Sequence, residues 1–457
     1  MEENLCERII GLCEAKKMKE LKDLLGETQP FDIAEAFSEL SLKDTALVYR
    51  LLSKETAADV FVELDSEKQE ELIRLFSDKE LREMLDELYV DDTVDIIEEM
   101  PATVVAKIIK NTDAETRRTI NEILMYPEDS AGSIMTPEYV SLKKSFTVAE
   151  AFEKIRREGV DKETVYTCYV TENRALVGIV TVKDMLIAAG DASIADIMYT
   201  NVVSVSTTDD KEFVAEQIRK YDFLAIPVVD KENRIVGIVT VDDAIDVMQE
   251  EATEDMEIMA AMSPSEKPYL KTDVFSIWKK RIPWLLLLMI SATFTGMIIS
   301  GFEAQLAVYT ALTAFIPMLM DTGGNSGSQA SVTVIRALAL DEVEPADILR
   351  VIWKELRVSL LCGATLAVAN FVKIVLVEML LIHAVPMDAS GFRVAVIVCA
   401  TLLITVCLAK LIGCSMPLLA KKLGLDPAVM ASPFITTIVD ALSLLVYFGV
   451  ATKLLGL

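Results

Sequence analysis

The 457 residues predict a multi-domain fold in three parts: an all-α superhelical N-terminal domain, a tandem α/β pair, and an α-helical transmembrane domain of five spans. Three observations carry this reading. Hydrophobic residues reach 52% while charged ones reach 25%, more of both than one globular domain mixes, so two solvents are implied. The charge is regional: the first 275 residues hold 60 acids and 31 bases, the rest 11 acids and 13 bases. Between these extremes a β-rich motif recurs 59 residues apart.

The N-terminal part, residues 1–130, reads as short amphipathic helices, with apolar residues at helical spacing and acids between them. Segments such as Ala57-Ala-Asp-Val-Phe-Val-Glu-Leu, Lys68-Gln-Glu-Glu-Leu-Ile-Arg-Leu-Phe and Thr93-Val-Asp-Ile-Ile-Glu-Glu-Met resemble one another. Stacked variants of one unit suggest a superhelix, with an ordinary helical bundle as the alternative. Met1 to Gly11 is already rich in Glu and Arg, which places the N-terminus in the cytosol.

The middle is a duplication, predicted as modules at 131–195 and 196–250. Ile134-Met-Thr-Pro recurs as Ile197-Met-Tyr-Thr, and Gly178-Ile-Val-Thr-Val-Lys-Asp as Gly237-Ile-Val-Thr-Val-Asp-Asp. Strand and helix alternating at this period mean two α/β modules. The doubled motifs resemble a tandem pair of CBS domains, which implies regulation by adenine nucleotides, ATP among them, or by ions. An intramolecular structural role is the alternative, because fold does not fix function.

Residues 251–280 are expected to form a connecting helix. Asp243, Asp246, Glu250, Glu254 and Glu257 fall at steps of three and four around it, so one face is acidic. The membrane domain is expected over 281–457, with apolar runs at Ile282–Gly301, Leu306–Met320, Ser359–Ile382, Val394–Leu419 and Met430–Leu455. A span needs roughly 20 residues to cross a ~30 Å core. Lys279, Lys280 and Arg281 precede the first run, Arg350, Lys354 and Arg357 separate the second from the third, and Lys421 and Lys422 precede the fifth. Five spans then leave the C-terminus outside a cell membrane.

Two places break helix rules. Pro317 followed by Asp321-Thr-Gly-Gly-Asn-Ser-Gly-Ser-Gln predicts irregular backbone that lipid cannot solvate, buried in protein or lining a wet cavity; a plain cytosolic loop is the alternative. Ser432-Pro433 opens the last run, where Ser432, Thr436 and Asp440 share one helical face. An acid inside a span usually faces a pore, so Asp440 is the leading ion-binding residue; a salt bridge to Lys410 is its structural alternative. Lys373 and Glu378 lie toward one end of the third run, placed either to snorkel to the interface or to pair with each other.

The inventory restricts the chemistry. His383 is the single histidine, and cysteines at 6, 13, 168, 362, 399, 407 and 414 form no C-x-x-C pair. Histidine- or thiolate-bound metals and a Ser-His-Asp triad are excluded, no enzyme is expected, and the acidic balance argues against nucleic acid. Oxygen ligands select hard cations, and Mg²⁺ suits a pore with one or two carboxylates. A single Asp per chain is too little, so a homodimer with the pore on its axis, surrounded by lipid, is the economical assembly.

The order of parts, together with Met135-Thr-Pro-Glu-Tyr-Val, the run Gly237 to Asp255, Thr322-Gly-Gly-Asn-Ser-Gly-Ser-Gln and Asp426-Pro-Ala with Pro433 and Asp440, resembles the MgtE family of magnesium channels. The resemblance implies Mg²⁺ influx closed by cytosolic Mg²⁺. It implies a pore lined by Asp440, Ser432, Thr436 and Asn325. It further implies sensor carboxylates at Asp59, Asp91 and Asp95, at Asp210, Glu212 and Asp222, and at Asp243, Asp246, Glu251, Glu254 and Asp255. Glu63, one turn beyond Asp59, is an alternative to it, and Asp321 departs from the family's usual glycine. A Na⁺- or H⁺-coupled divalent-cation exchanger is the rival function, and an anion channel is disfavoured by the acidity of Asp440.

Overall fold

The computed structural model describes residues 5–265, 269–270, 272–303, 307, 310–430 and 432–455, with the side chains of Asp161 and Ser432 outside that set. It divides into two compact units, Met1–Met248 and Gln249–Leu457.

The first unit begins with α1 (Leu5–Glu14), α2 (Met18–Glu27), α3 (Pro30–Glu39), α4 (Leu42–Tyr49) and α5 (Lys54–Val62). It continues through α6 (Ser66–Leu75), α7 (Asp78–Leu85), α8 (Val90–Glu99), α9 (Ala102–Asn111) and α10 (Ala114–Ile123). The caps keep strict time: Lys17, Gln29, Ser41, Ser53, Asp65, Ser77, Tyr89, Pro101 and Asp113 each precede a helix, twelve residues apart. Ser41, Ser53, Asp65, Ser77 and Asp113 accept backbone N–H bonds that the first turn would otherwise leave open. The eighth residue after the cap is buried in seven consecutive repeats: Leu25, Phe37, Tyr49, Phe61, Ile73, Leu85 and Ile97. One helix per repeat, burying the same face each time, is the physical content of the superhelix.

The α/β pair follows. Its first half holds β1 (Tyr139–Lys143), α11 (Val148–Glu158), β2 (Thr164–Glu172), β3 (Ala175–Thr181), α12 (Val182–Ile187) and α13 (Ile194–Ile197). The second holds β4 (Val205–Ser206), α14 (Lys211–Tyr221), β5 (Ala225–Val229) and β6 (Ile235–Thr240). The sheets are ordered β1-β2-β3 and β4-β5-β6, each with a parallel then an antiparallel pair.

The duplicated Ile-Met motifs are exchanged between these sheets. Thr136 N–H donates to Ile238 O at 2.8 Å, and Ile238 N–H donates back to Thr136 O at 2.9 Å. Tyr199 makes the same reciprocal pair with Ile179, at 2.8 and 2.9 Å. A Cβ on Gly237 would stand 2.7 Å from Met135 Sδ, and one on Gly178 2.8 Å from Met198 Sδ. The glycine of each G-I-V-T-V strand therefore makes room for the methionine of the other half.

Helix α15 (Val241–Met259) starts ten residues before the 251 expected for the connector, directly from β6. Five long helices follow: α16 (Val274–Gly301), α17 (Ile316–Ala339), α18 (Ile348–Lys373), α19 (Ala389–Lys422) and α20 (Ser432–Leu455). The segments Val274–Gly301, Pro345–Leu381, Ala389–Lys422 and Pro427–Leu455 are long and apolar enough to cross a membrane. The fifth long helix, α17, carries the polar glycine-rich stretch. Within the unit, α17 lies along α19 and α20, α18 along α19, and α16 along α20.

Two sequence expectations are corrected here. The stretch after Pro317 is not irregular backbone: α17 runs unbroken through Asp321 to Ser331. Its glycines serve approach, since Gly323, Gly324 and Gly327 are buried against α19 and α20, as small residues are at helix contacts in membranes. Pro317 and Pro433 both sit in first turns, where a missing N–H costs nothing, so they start helices rather than break them. Of the expected run Leu306–Met320, residues 306, 308 and 309 lie outside the described residues, and α17 begins only at Ile316.

Candidate cation sites

In the first unit a set of carboxylates converges from four segments. Helix α8 supplies Asp91, Asp92 and Asp95; the residue after the crossed motif is Glu138; Glu163 precedes β2; and the first turns of α15 supply Asp242, Asp243 and Asp246. Carboxylate oxygens of Asp91, Glu138 and Glu163 lie within 4.8 Å of one another. Oδ1 of Asp91 is sealed from solvent without a hydrogen-bond partner.

Burial and mutual repulsion set the electrostatics. Desolvation, then the charges of Asp92, Asp243, Glu163 and Glu138, hold Asp91 well above the usual carboxylate range. Burial first, and Asp243 next, raise Asp92 and Asp95 to about 7. Glu163 is raised to about 7 by burial and then by Asp92. Asp243 rises to about 6 through burial, opposed by the Thr240 hydroxyl, which donates to its Oδ2 at 2.6 Å. The leading neighbours of Asp91, Asp92, Asp95 and Glu163 are all acids. A crowded, partly solvent-shielded set of like charges with these neighbours takes up protons or a cation.

The structure sorts the expected sensor residues. Asp91, Asp95 and Asp243 come together in this set. Asp59 acts on its edge through Asp92, and Asp246 faces Glu63, whose carboxyl is raised by burial, then by Asp246 and Asp59. Asp210, Glu212 and Asp222 fall elsewhere: Asp210 caps the start of α14, Glu212 sits in its first turn, and Asp222 ends it in the left-handed conformation at φ 53°. Asp210 and Asp222 are about 18 Å apart along the helix at 1.5 Å per residue, too far to share one ion. Glu251, Glu254 and Asp255 lie on the α15 turns that belong to the second unit. Glu138 and Glu163, which join this set, were not among the expected residues. Glu138 stands inside a quoted family motif, and that was the available signal.

In the second unit Asp440 is half-buried on α20, and the charge of Asp321 on α17 acts on it. Thr436, one turn before Asp440, faces α17, its Cγ2 standing 2.7 Å from where a Cβ of Gly324 would be. Its hydroxyl donates to Pro433 O at 2.9 Å. The side chain of Ser432 lies outside the described residues. Asp321, Asn325 and Gln329 are exposed at i, i+4 and i+8, a polar stripe on α17. Lys410 is buried on α19, and among the described residues it makes no ion pair with Asp440. Lys373 does pair with Glu378, at 2.7 Å, where α18 runs on into a π-helical stretch, Ile374–Leu381.

Against known proteins, the chain is 36% identical to the magnesium transporter MgtE of Thermus thermophilus, with 100% of this chain and 99% of the relative covered. The chain belongs to the MgtE family. The MgtE divalent cation transporter model matches residues 316–450, the MgtE intracellular N domain 28–129, and CBS domains 131–191 and 194–250. The magnesium transporter MgtE of Bacillus subtilis is 34% identical, covering 97% of this chain and 96% of that one. A crystal structure of the cytosolic domain of the Mg²⁺ channel MgtE in complex with ATP is 37% identical with a TM-score of 0.50, covering 52% of this chain and 99% of its own. The soluble part of a magnesium transporter is 33% identical with a TM-score of 0.51, covering 54% and 98%. This MgtE-family chain is thus a multi-pass membrane protein whose N-terminal helices and CBS pair match soluble domains.

Proposed function

We propose that the chain is a Mg²⁺ channel of the cell membrane that cytosolic Mg²⁺ closes by binding its acidic N-terminal and CBS domains. The observation that carries the transport reading is Asp440, an acid on a helix long and apolar enough to cross a membrane, acted on by the charge of a second acid, Asp321, and, among the described residues, without an ion pair to Lys410. Oxygen ligands of this kind hold a hard, largely hydrated cation. A homodimer would double the carboxylates at the axis, with the C-terminus outside. ATP in the CBS cleft is a regulatory ligand of the same reading.

Repulsion supplies the gate. Without Mg²⁺ the acids of α8, the CBS pair and α15 drive the cytosolic domains apart; Mg²⁺ between them favours the compact, closed state because it binds that state better. Purified protein in liposomes should pass Mg²⁺ down its gradient with no Na⁺ or pH gradient present, and Asp440→Ala should lower flux at least tenfold while eluting as the wild type does. Unchanged flux in that variant removes Asp440 from the pore. Flux that requires Na⁺ or a pH gradient establishes coupled exchange instead.

A further inference from the structure

We infer that the recess enclosed by the end of α15, by α16 and by the outer face of α20 is a binding site for an anionic phospholipid, which seats an acyl chain there and its phosphate on Lys279 and Arg281. Such a site is independent of how the chain moves Mg²⁺.

The recess is a cavity of about 130 Å³. Ile258 closes it from α15, Trp284 and Ser291 from α16, and Phe434, Thr437 and Ile438 from α20. Its wall presents no free hydroxyl: Ser291 Oγ donates to Leu288 O at 2.8 Å and Thr437 Oγ1 to Pro433 O at 3.1 Å, each within its own helix. An apolar cavity of roughly 150 Å³ stays dry and takes up benzene. This one, of similar size, suits a few methylene groups and neither water nor ions.

Place and charge decide what fills it. Phe434 and Ile438 stand two residues to either side of Thr436, about 200° round the helix, so they face away from Thr436 and Asp440. Helices α16 and α20 are both long and apolar enough to cross a membrane, and Leu287 and Phe434, which line the recess, are exposed. The recess therefore opens sideways, where the surrounding solvent is hydrocarbon.

At the start of α16, Lys279 and Arg281 are exposed beside the exposed rings of Phe275 and Trp278, whose centroids are 5.1 Å apart. Rings and cations at a helix end mark the headgroup level of a bilayer, and clustered cations draw anionic lipid. Trp284 lies three residues beyond Arg281, about 4.5 Å along the axis, so a phosphate at Arg281 brings the upper part of its chain to the recess. Lys280 is spent otherwise: its Nζ donates to Pro264 O, and its carbonyl accepts from Ser263 N–H at 3.3 Å. These bonds hold the residues after α15 against α16, and a chain in the recess adds apolar contact between α15 and the opening turns of α20.

The test uses the full chain carrying W278F/W353F, which leaves Trp284 as the only tryptophan. It is reconstituted in phosphatidylcholine vesicles with rising fractions of phosphatidylglycerol or phosphatidylcholine brominated on the acyl chains, because bromine quenches a tryptophan that it touches. Half-maximal quenching should need at least threefold less brominated phosphatidylglycerol than brominated phosphatidylcholine. S291L and T437L fill the recess from different helices, so one remains informative if the other fails to fold, and each should make the two lipids quench alike. K279Q/R281Q should do the same by removing the charge. Equal quenching by both lipids without these changes overturns the inference and leaves ordinary bilayer contact. No quenching by either means that a second copy of the chain covers the recess. A preference that survives K279Q/R281Q, or both filling variants, places the lipid elsewhere.

Discussion

Gly327 of α17 and Gly413 of α19 meet backbone to backbone: a Cβ on Gly413 would overlap the carbonyl oxygen of Gly327. Such an approach lets two helices gain dispersion contact where lipid offers no hydrophobic drive. Gly413→Leu should therefore lower the melting temperature of the detergent-solubilised protein sharply, since overpacking costs about 1–3 kcal/mol or more in a rigid contact. Gly296→Leu on α16, where a Cβ meets nothing within 4 Å, is the control and should leave it nearly unchanged. Equal melting temperatures would place the α17–α19 contact elsewhere.

The continuous helix through the glycine-rich stretch has a labelling signature. With the native cysteines replaced, cysteine at Asn325 or Gln329 should react with a polar thiol reagent, whereas at Ser326 or Ala330, both buried, it should react at least tenfold more slowly. Uniform reaction from 323 to 329 would mean an open loop.

The acidic set makes Mg²⁺ dependence a function of pH. Carboxyls whose folded-state pKa is raised stabilise the compact form at low pH and lose that contribution as pH climbs from the unfolded value toward the folded one. For Asp92, Asp95 and Glu163, at about 7, and Asp243, at about 6, the loss is largely complete by neutral pH. Without Mg²⁺, protease resistance of the first unit should accordingly be high near pH 5.5 and fall by pH 7.5. Added Mg²⁺ should restore it at pH 7.5 and change little at pH 5.5. Resistance that rises with pH in metal-free buffer contradicts this assignment.

The twelve-residue rhythm of caps predicts local costs in the N-terminal helices. Ser77 makes a full capping box with Glu80, whose carboxyl is lowered to about 2 chiefly by the Ser77 backbone N–H and then by Arg50. Ser77→Ala should destabilise the domain by about 1 kcal/mol. Chemical denaturation followed by helix signal measures it, and Ser38→Ala, exposed inside α3, should change little.

Much of the architecture was legible because its signals are local. Apolar periodicity marked the helices, and the doubled Gly-Ile-Val-Thr-Val marked the strands. Charge asymmetry separated the solvents. The glycine-rich stretch misled because glycine and serine disfavour helix in water, while between packed membrane helices the same residues permit close approach. Pro317 and Pro433 misled for a related reason, since proline stops a helix from within yet suits its first turn. Asp91 was expected as a ligand, but Glu138 and Glu163 meet it only through tertiary structure.

The exchange of Ile-Met segments between the two CBS sheets makes neither half self-sufficient. Cut just before Ile197, each piece would carry a strand with an empty methionine socket at its glycine, Gly178 in one and Gly237 in the other. Recombination could then transplant the pair whole but not a single copy, so the heritable and foldable element is the reciprocal duplex, and an ancestral single copy would have completed itself only by docking with a twin.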